Sequence, residues 1–239
     1  MAGSREHDAW SKGFMQILCI VLFFTISSFT IGESESSEED NRIDIHQLWL
    51  DCELSEVIPF EVFNRAMLGY SQIESVKKKN LISIIDFSLA STEKRFYVID
   101  LEKKKLLYRC LVAHGKNTGE NSAKNFSNES KSLKSSLGFY LTAETYEGIN
   151  GYSLKLDGLE KNINDNARTR EIVIHGADYV SEDYIKRYGR LGRSWGCPAL
   201  PPEILKEVVD KISNGSCLFI YADDKFYKEN SVFGIPSIH

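Results

Sequence analysis

The sequence predicts a mainly β domain of the α+β class, with helices ahead of the strands and one amphipathic helix between late strands. From Leu81 onward the chain breaks into short runs of β-branched and aromatic residues, the texture of strands. Between Ile43 and Val76 apolar residues recur instead at three- and four-residue steps, the helical period. The βαβα alternation of a doubly wound sheet is absent, so antiparallel pairing should dominate. Composition agrees with one globular domain: 42% of the 239 residues are hydrophobic, and 29 Lys and Arg stand against 34 Asp and Glu, too apolar and too balanced for a disordered chain. A pI near 5.6 leaves no basic face for phosphate contacts, so no nucleic-acid partner is expected. The short cluster Lys77-Lys78-Lys79 reads as a solvated helix end.

Arg5 and Lys12 precede Phe14 to Ile26, thirteen residues without a charge, followed by the small or polar Ser27, Ser28, Thr30 and Gly32. That order is the pattern of a secretory signal peptide cleaved after Gly32. Carried on to Ile31, the run reaches eighteen residues, long enough for an uncleaved anchor, which would be the chain's only membrane contact. Both readings export the same domain. Residues 33–42 hold five acids and no large apolar side chain, and are expected to be a solvated linker.

Residues 43–79 should form a helical pair broken by Pro59. Strands are expected at Leu81–Phe87, Arg95–Leu101, Leu106–Ala113, Gly138–Thr142, Glu171–His175 and Ser216–Tyr221, with a hairpin turn at Glu102 to Lys105. The Asn-, Ser- and Lys-rich stretch 115–136 is too long for a simple connection, so it is either mobile or functional. Ser181 should cap a helix that runs toward Arg193. Pro201-Pro202 opens a second helix whose Ile204, Leu205, Val208, Val209 and Ile212 share a face, and Asn214-Gly215 closes it. Residues 223–239 read as a tail. Cys52, Cys110, Cys197 and Cys217 are an even count suited to two disulfides in an oxidising compartment, but Cys110 and Cys217 lie in strand-like runs, where a buried free thiol is the commoner state.

Two short stretches carry candidate chemistry. One is the strand Glu171-Ile-Val-Ile-His175, ending in Gly176. The other is Arg193-Ser194-Trp195-Gly196-Cys197-Pro198. Acyl transfer by cysteine needs a thiolate, a base to make it and N–H donors for the oxyanion. Cys197 and His175 supply the first two, and the N–H groups of Gly196 and Cys197 are candidates for the third. Pro198 disfavours helical geometry at Cys197 and holds it extended. Read without further context, a lone exported cysteine such as Cys197 is more often a core or disulfide cysteine, and a strand-end histidine such as His175 is usually a satisfied structural one. A zinc site from His114, His175 and Cys197 lacks the short ligand spacing of common zinc motifs.

At these residues the chain resembles a known family. IHG at 174–176 and SWGC at 194–197 look like the His-Gly and Ser-His-Gly-Cys elements of YkuD-type L,D-transpeptidases, and the stretch 175–201 resembles the branch of murein L,D-transpeptidase catalytic-domain proteins. Blocks 84–101, 111–120, 135–148 and 151–160 agree, so the likeness covers about 80–222. It implies an antiparallel or mixed β-sandwich of the L,D-transpeptidase catalytic type and a bacterial protein of the periplasm or cell envelope. It also implies a Cys197 thioester formed on peptidoglycan stem peptides, His175 as base with the Gly176 carbonyl holding its other ring nitrogen, and no metal or organic cofactor.

The chain departs from the family at Trp195, where a histidine is usual, and at Ala199, where an arginine is usual. A substrate carboxylate would then need another cation, Arg193 first and Arg190 next. Ser194, Trp195, His114 and Tyr140 are further candidates for substrate contact, with Tyr140 and Tyr146 better suited to the core. The rival functions are an L,D-carboxypeptidase or envelope-protein attachment on the same acyl-enzyme, and a wall-binding module without turnover.

Overall fold

The computed structural model describes residues 44–233. The expected signal or anchor and the acidic linker lie outside them. In chain order the elements are α1 (Ile45–Asp51), α2 (Phe60–Tyr70), β1 (Leu81–Asp86), β2 (Phe96–Asp100), β3 (Lys105–Cys110), β4 (Gly138–Gly148) and β5 (Gly151–Gly158). Then come β6 (Val173–Gly176), α3 (Glu182–Tyr188), β7 (Ala199–Leu200), α4 (Pro202–Ile212), β8 (Cys217–Tyr221) and α5 (Lys225–Asn230).

All eight strands join one mixed sheet in the order β3-β2-β1-β8-β4-β5-β6-β7. β1 with β8 and β6 with β7 are parallel, and the remaining neighbours are antiparallel. The expected layers are therefore parts of a single curled sheet. Its two edges nearly meet: just beyond β3, Ala113 pairs with Ala199 of β7 through reciprocal N–H to carbonyl bonds of 2.9 and 3.3 Å. That bridge satisfies backbone groups an open edge would leave exposed.

Every expected strand is present, and two more join them. β5 follows β4 through a two-residue connection, with Gly148 opposite Gly151 and Gly151 at φ 71°. Asn150-Gly151 ahead of the alternating Tyr152, Leu154 and Leu156 is a hairpin signal that finds it. β7 has only two residues, and nothing local marks it as a strand.

The helical pair forms as expected, with Pro59 at the N-cap of α2, but it is no separate extension. Leu48, Val62, Phe63, Ala66 and Met67 are buried in the same core as β1, β4 and β8. The fit is tight because α2 carries Gly69 against Phe139 of β4. A Cβ at Gly69 would lie 2.1 Å from Phe139 Cζ. The Phe139 ring stacks on Phe219 of β8, centroids 4.3 Å apart, and burying a ring of this size contributes about 1.5–3 kcal/mol. Lys77-Lys78-Lys79 is not a helix end, since α2 stops at Tyr70. The Lys77 and Lys78 N–H groups bond to the Gly215 carbonyl instead.

α4 starts on Pro202 and buries Leu205, Val208, Val209 and Ile212 as its spacing requires. Asn214 and Gly215, both at positive φ, end it. Ser181 caps α3, which closes on Gly189 in the left-handed region, earlier than Arg193. The expected tail is also corrected, because α5 falls within it and buries Tyr227. Cys52, Cys110 and Cys217 are buried free thiols and Cys197 is a half-buried one. Among the described residues no helix is long and apolar enough to cross a membrane.

Candidate active site

Closure of the sheet places Cys197. The chain runs from His114 and Gly115 alongside Ser194, and the Ser194 N–H donates to the His114 carbonyl at 3.0 Å while Lys116 N–H donates to the Ser194 carbonyl at 2.8 Å. Two glycines let these segments touch. A Cβ on Gly115 would lie 2.9 Å from Gly196 Cα, and one on Gly196, at φ 135°, would lie 2.8 Å from the Lys134 carbonyl oxygen. Ser194 Oγ donates to the Cys197 carbonyl at 2.6 Å and accepts the Gly196 N–H at 3.0 Å, which fixes the turn before the cysteine. From there the chain enters β7 beside β6, with Ala199 opposite His175.

The thiol lies against the start of β6. Val173 N–H points at Cys197 Sγ, and the thiol at the Glu171 carbonyl, both at 3.5 Å. His175 lies two residues beyond Val173 on β6, its backbone opposite Ala199. Its Nδ1 is 2.9 Å from the Gly176 carbonyl. A carbonyl only accepts, so Nδ1 carries the proton and Nε2 keeps its lone pair. Burial pushes the His175 pKa below its usual value, against the Gly176 bond, so the ring is neutral at pH 7. Burial pushes the Cys197 thiol up, while the Val173 N–H and the Arg170 charge pull it down. A neutral imidazole and a protonated thiol are the resting states that general-base activation requires.

A cavity of about 240 Å³ opens beside Glu171 and Val173, the two residues the thiol touches, and is also lined by Tyr146, Lys155 and Arg168. Trp195, two residues before the cysteine, is 79% exposed. No trio of His, Cys, Asp and Glu converges as a metal site would require among the described residues.

The chain matches the L,D-transpeptidase catalytic domain over residues 54–221. It belongs to that family. The match begins well before residue 80, inside the helical segment, as the shared core requires. Among solved structures, the chain is similar to an L,D-transpeptidase from Mycobacterium smegmatis at 12% identity and a TM-score of 0.39, covering 60% of this chain and 59% of that one. The helical cell shape determining protein Pgp2 from Campylobacter jejuni is 16% identical with a TM-score of 0.40, over 61% of this chain and 48% of that one. The chain thus spans about three fifths or less of these relatives. No curated protein matches it.

Within this L,D-transpeptidase domain, several expected substrate contacts are corrected. His114 is buried. Its Nδ1 accepts from Arg95 Nη2 at 2.7 Å, and its Nε2 donates to the Gly119 carbonyl at 3.2 Å, so both nitrogens are committed inside the protein. Tyr140 is fully buried, its hydroxyl bonded to Ser136, as the core reading required. Tyr146, in contrast, lines the cavity. Ser194 is buried and holds the turn. Arg193 and Arg190 both pair with Glu120, at 2.6 and 2.9 Å, and Arg193 adds bonds to the Lys116 and Gly119 carbonyls. Both are tied to that one carboxylate. The Gly196 N–H is taken by Ser194 Oγ, which leaves the Cys197 N–H as the stronger of the two oxyanion candidates.

The cation whose field reaches the thiol is Arg170, which sequence reasoning missed. A basic residue just ahead of a strand carries no local signal of such a role. The loop 115–136 packs against the turn that carries Cys197: Ser135 Oγ donates to the Gly196 carbonyl at 2.9 Å, and Thr118 Oγ1 accepts the Ser135 N–H at 2.8 Å.

His114 also predicts an acid limit on stability. Burial, reinforced by the Arg95 charge, lowers its pKa to about 4 from an ordinary 6.5. Its contribution is complete above about pH 6.5, where the ring is neutral in folded and unfolded chains alike, and is lost as pH falls toward 4, where only the unfolded chain gains the proton. Melting curves from pH 7 to 4 should show a loss of order 3 kcal/mol from this residue. An unchanged pH slope in His114→Gln would remove it as the cause.

Proposed function

We propose that this chain is an exported cysteine L,D-transpeptidase that acts on peptidoglycan stem peptides in the bacterial periplasm or cell envelope and forms 3→3 cross-links. The observation that carries the reading is Cys197 brought by sheet closure to the strand that bears a neutral, Gly176-oriented His175.

In this mechanism His175 Nε2 takes the Cys197 proton as Sγ attacks the carbonyl of meso-diaminopimelate in a tetrapeptide stem. The bond to D-alanine breaks, the imidazolium returns the proton to the leaving amine, and a thioester remains on Cys197. The Cys197 N–H stabilises the oxyanion. The amine of a second stem then attacks the thioester, His175 accepts its proton, and the amide forms as the thiol leaves and is reprotonated. Raised thiol and lowered imidazole pKa values support base-assisted attack over a preformed ion pair. The cavity beside Glu171 and Val173 is where a stem can lie, and the exposed Trp195 offers a flat apolar surface two residues before the nucleophile.

The test is incubation of the purified full-length chain with tetrapeptide muropeptides, read by mass spectrometry. A cross-linked dimer formed with loss of D-alanine is expected. Tripeptide without dimer would make it an L,D-carboxypeptidase, and no change, with intact sacculi and added acceptor as well, would leave a wall-binding module. His175→Ala should lower the transfer rate by about 10²–10⁴-fold with the fold retained. A rate near wild type would remove His175 as the base.

A further inference from the structure

Arg170 is a half-buried cation placed against the turn that carries Cys197, and among the described residues no carboxylate pairs with it. Of the other arginines near the site, Arg168 pairs with Glu144 and Asp157, Arg190 and Arg193 share the single carboxylate of Glu120, and Arg95 spends its donors on the Leu89 and Val112 carbonyls and on His114. All the bonds of Arg170 go to neutral acceptors in the neighbouring loop. Nη1 donates to the Ser127 carbonyl at 2.7 Å and to Ser136 Oγ at 3.3 Å, and Nη2 to the Lys134 carbonyl at 2.6 Å and Ser132 Oγ at 3.3 Å. That Lys134 carbonyl is the atom packed against Gly196, and Nη2 would lie 3.5 Å from a Cβ placed on Gly196. A cation withdrawn from water without an anion is costly, and a negative charge formed beside it offsets that cost.

We propose that Arg170 is a positioning residue for Cys197, tying the 127–136 loop down onto Gly196 and supplying the counter-charge beside which the thiolate forms. This rests on Cys197 being the nucleophile. The charged and titratable groups that face Cys197 are few. Glu171 precedes β6 and opposes the thiolate, His175 on β6 is neutral at pH 7, and Tyr179 beyond β6 is pushed up to about 12 by burial and stays protonated. Lys134 and Gly115 approach the turn through backbone atoms. Arg170 is thus the cation among these groups.

The test is the pH profile of iodoacetamide alkylation in the full-length chain, read by mass spectrometry on the peptide that carries Cys197, with a melting curve for each variant. In Arg170→Gln the alkylation midpoint should rise by about one pH unit, a roughly tenfold loss of thiolate at neutral pH. Arg170→Lys keeps the charge and gives up most of the loop bonds. Its midpoint should stay near wild type while proteolysis within 127–136 speeds up. An unmoved midpoint in folded Arg170→Gln, or an equal rise in both variants, overturns the proposal. Should Arg170→Gln fail to fold, Glu171→Gln decides: the midpoint should fall, and no change would show that charges at this position do not reach the thiol. Alkylation needs no muropeptide. A failed profile therefore leaves the transpeptidase reading standing, and absent turnover with the Arg170 effect intact removes that reading alone.

Discussion

On the proposed mechanism, Cys197→Ala removes turnover, a loss on the order of 10⁴–10⁶-fold in kcat, with stability changed by no more than about 1 kcal/mol. The asymmetry comes from the position of the side chain. The thiol is half-buried, and its polar contacts are the two long ones to the Val173 N–H and the Glu171 carbonyl, so little packing is lost with the sulfur. The backbone around it is held by other groups. Ser194 Oγ fixes the Cys197 carbonyl, Ser135 Oγ the Gly196 carbonyl, and Ala199 pairs with Ala113. A melting curve and the muropeptide assay on the same preparation check both halves. Turnover within about tenfold of wild type in a folded Cys197→Ala would exclude the thioester.

Arg95→Ala should have the opposite profile, with a stability loss of about 3–5 kcal/mol, or roughly 6–20 °C in melting temperature for a domain of this size. Arg95 is fully buried and lies over the Phe87 ring at 4.7 Å. It donates to the Leu89 carbonyl at 2.7 Å, to the Val112 carbonyl from Nε and Nη2 at 3.2 and 3.0 Å, and to His114 Nδ1 at 2.7 Å. Truncation strips buried acceptors of their donor and leaves a cavity, and each effect alone costs more than a typical surface change. Arg95→Lys should recover less than half of the loss, because one ammonium cannot reach acceptors spread over Leu89, Val112 and His114. Activity should fall before the domain melts. The His114 carbonyl holds the Ser194 N–H, so loosening His114 loosens the turn that presents Cys197. Differential scanning calorimetry with rate measurements below the transition tests this. Melting within about 2 °C of wild type would mean that solvent or a side-chain shift replaces the lost donor.

Short-range signals in the chain are enough for most of the local elements. Apolar period set α2 and α4, runs of β-branched, aromatic and other apolar residues set β1, β2, β3 and β8, and Pro202 and Ser181 marked helix starts, because each is a local choice of dihedral or cap. The same range of information singled out Cys197 and His175, whose flanking glycines and proline restrict backbone geometry within a few residues.

The surroundings of those two residues came from contacts between distant parts of the chain. β7 exists because Ala199 and Leu200 meet His175 and Gly176 of β6, and the bridge from Ala199 to Ala113 adds a partner far away in sequence. His114 and Tyr140, plausible cleft residues by position, are turned inward by Arg95 and Ser136. Arg193, the cation closest to Cys197 in sequence, is taken by Glu120, while Arg170, 27 positions before the cysteine, reaches the turn through a loop that itself lies more than thirty residues earlier. Burial and charge pairing depend on through-space neighbours, and sequence proximity carries almost no information about which arginines meet an anion.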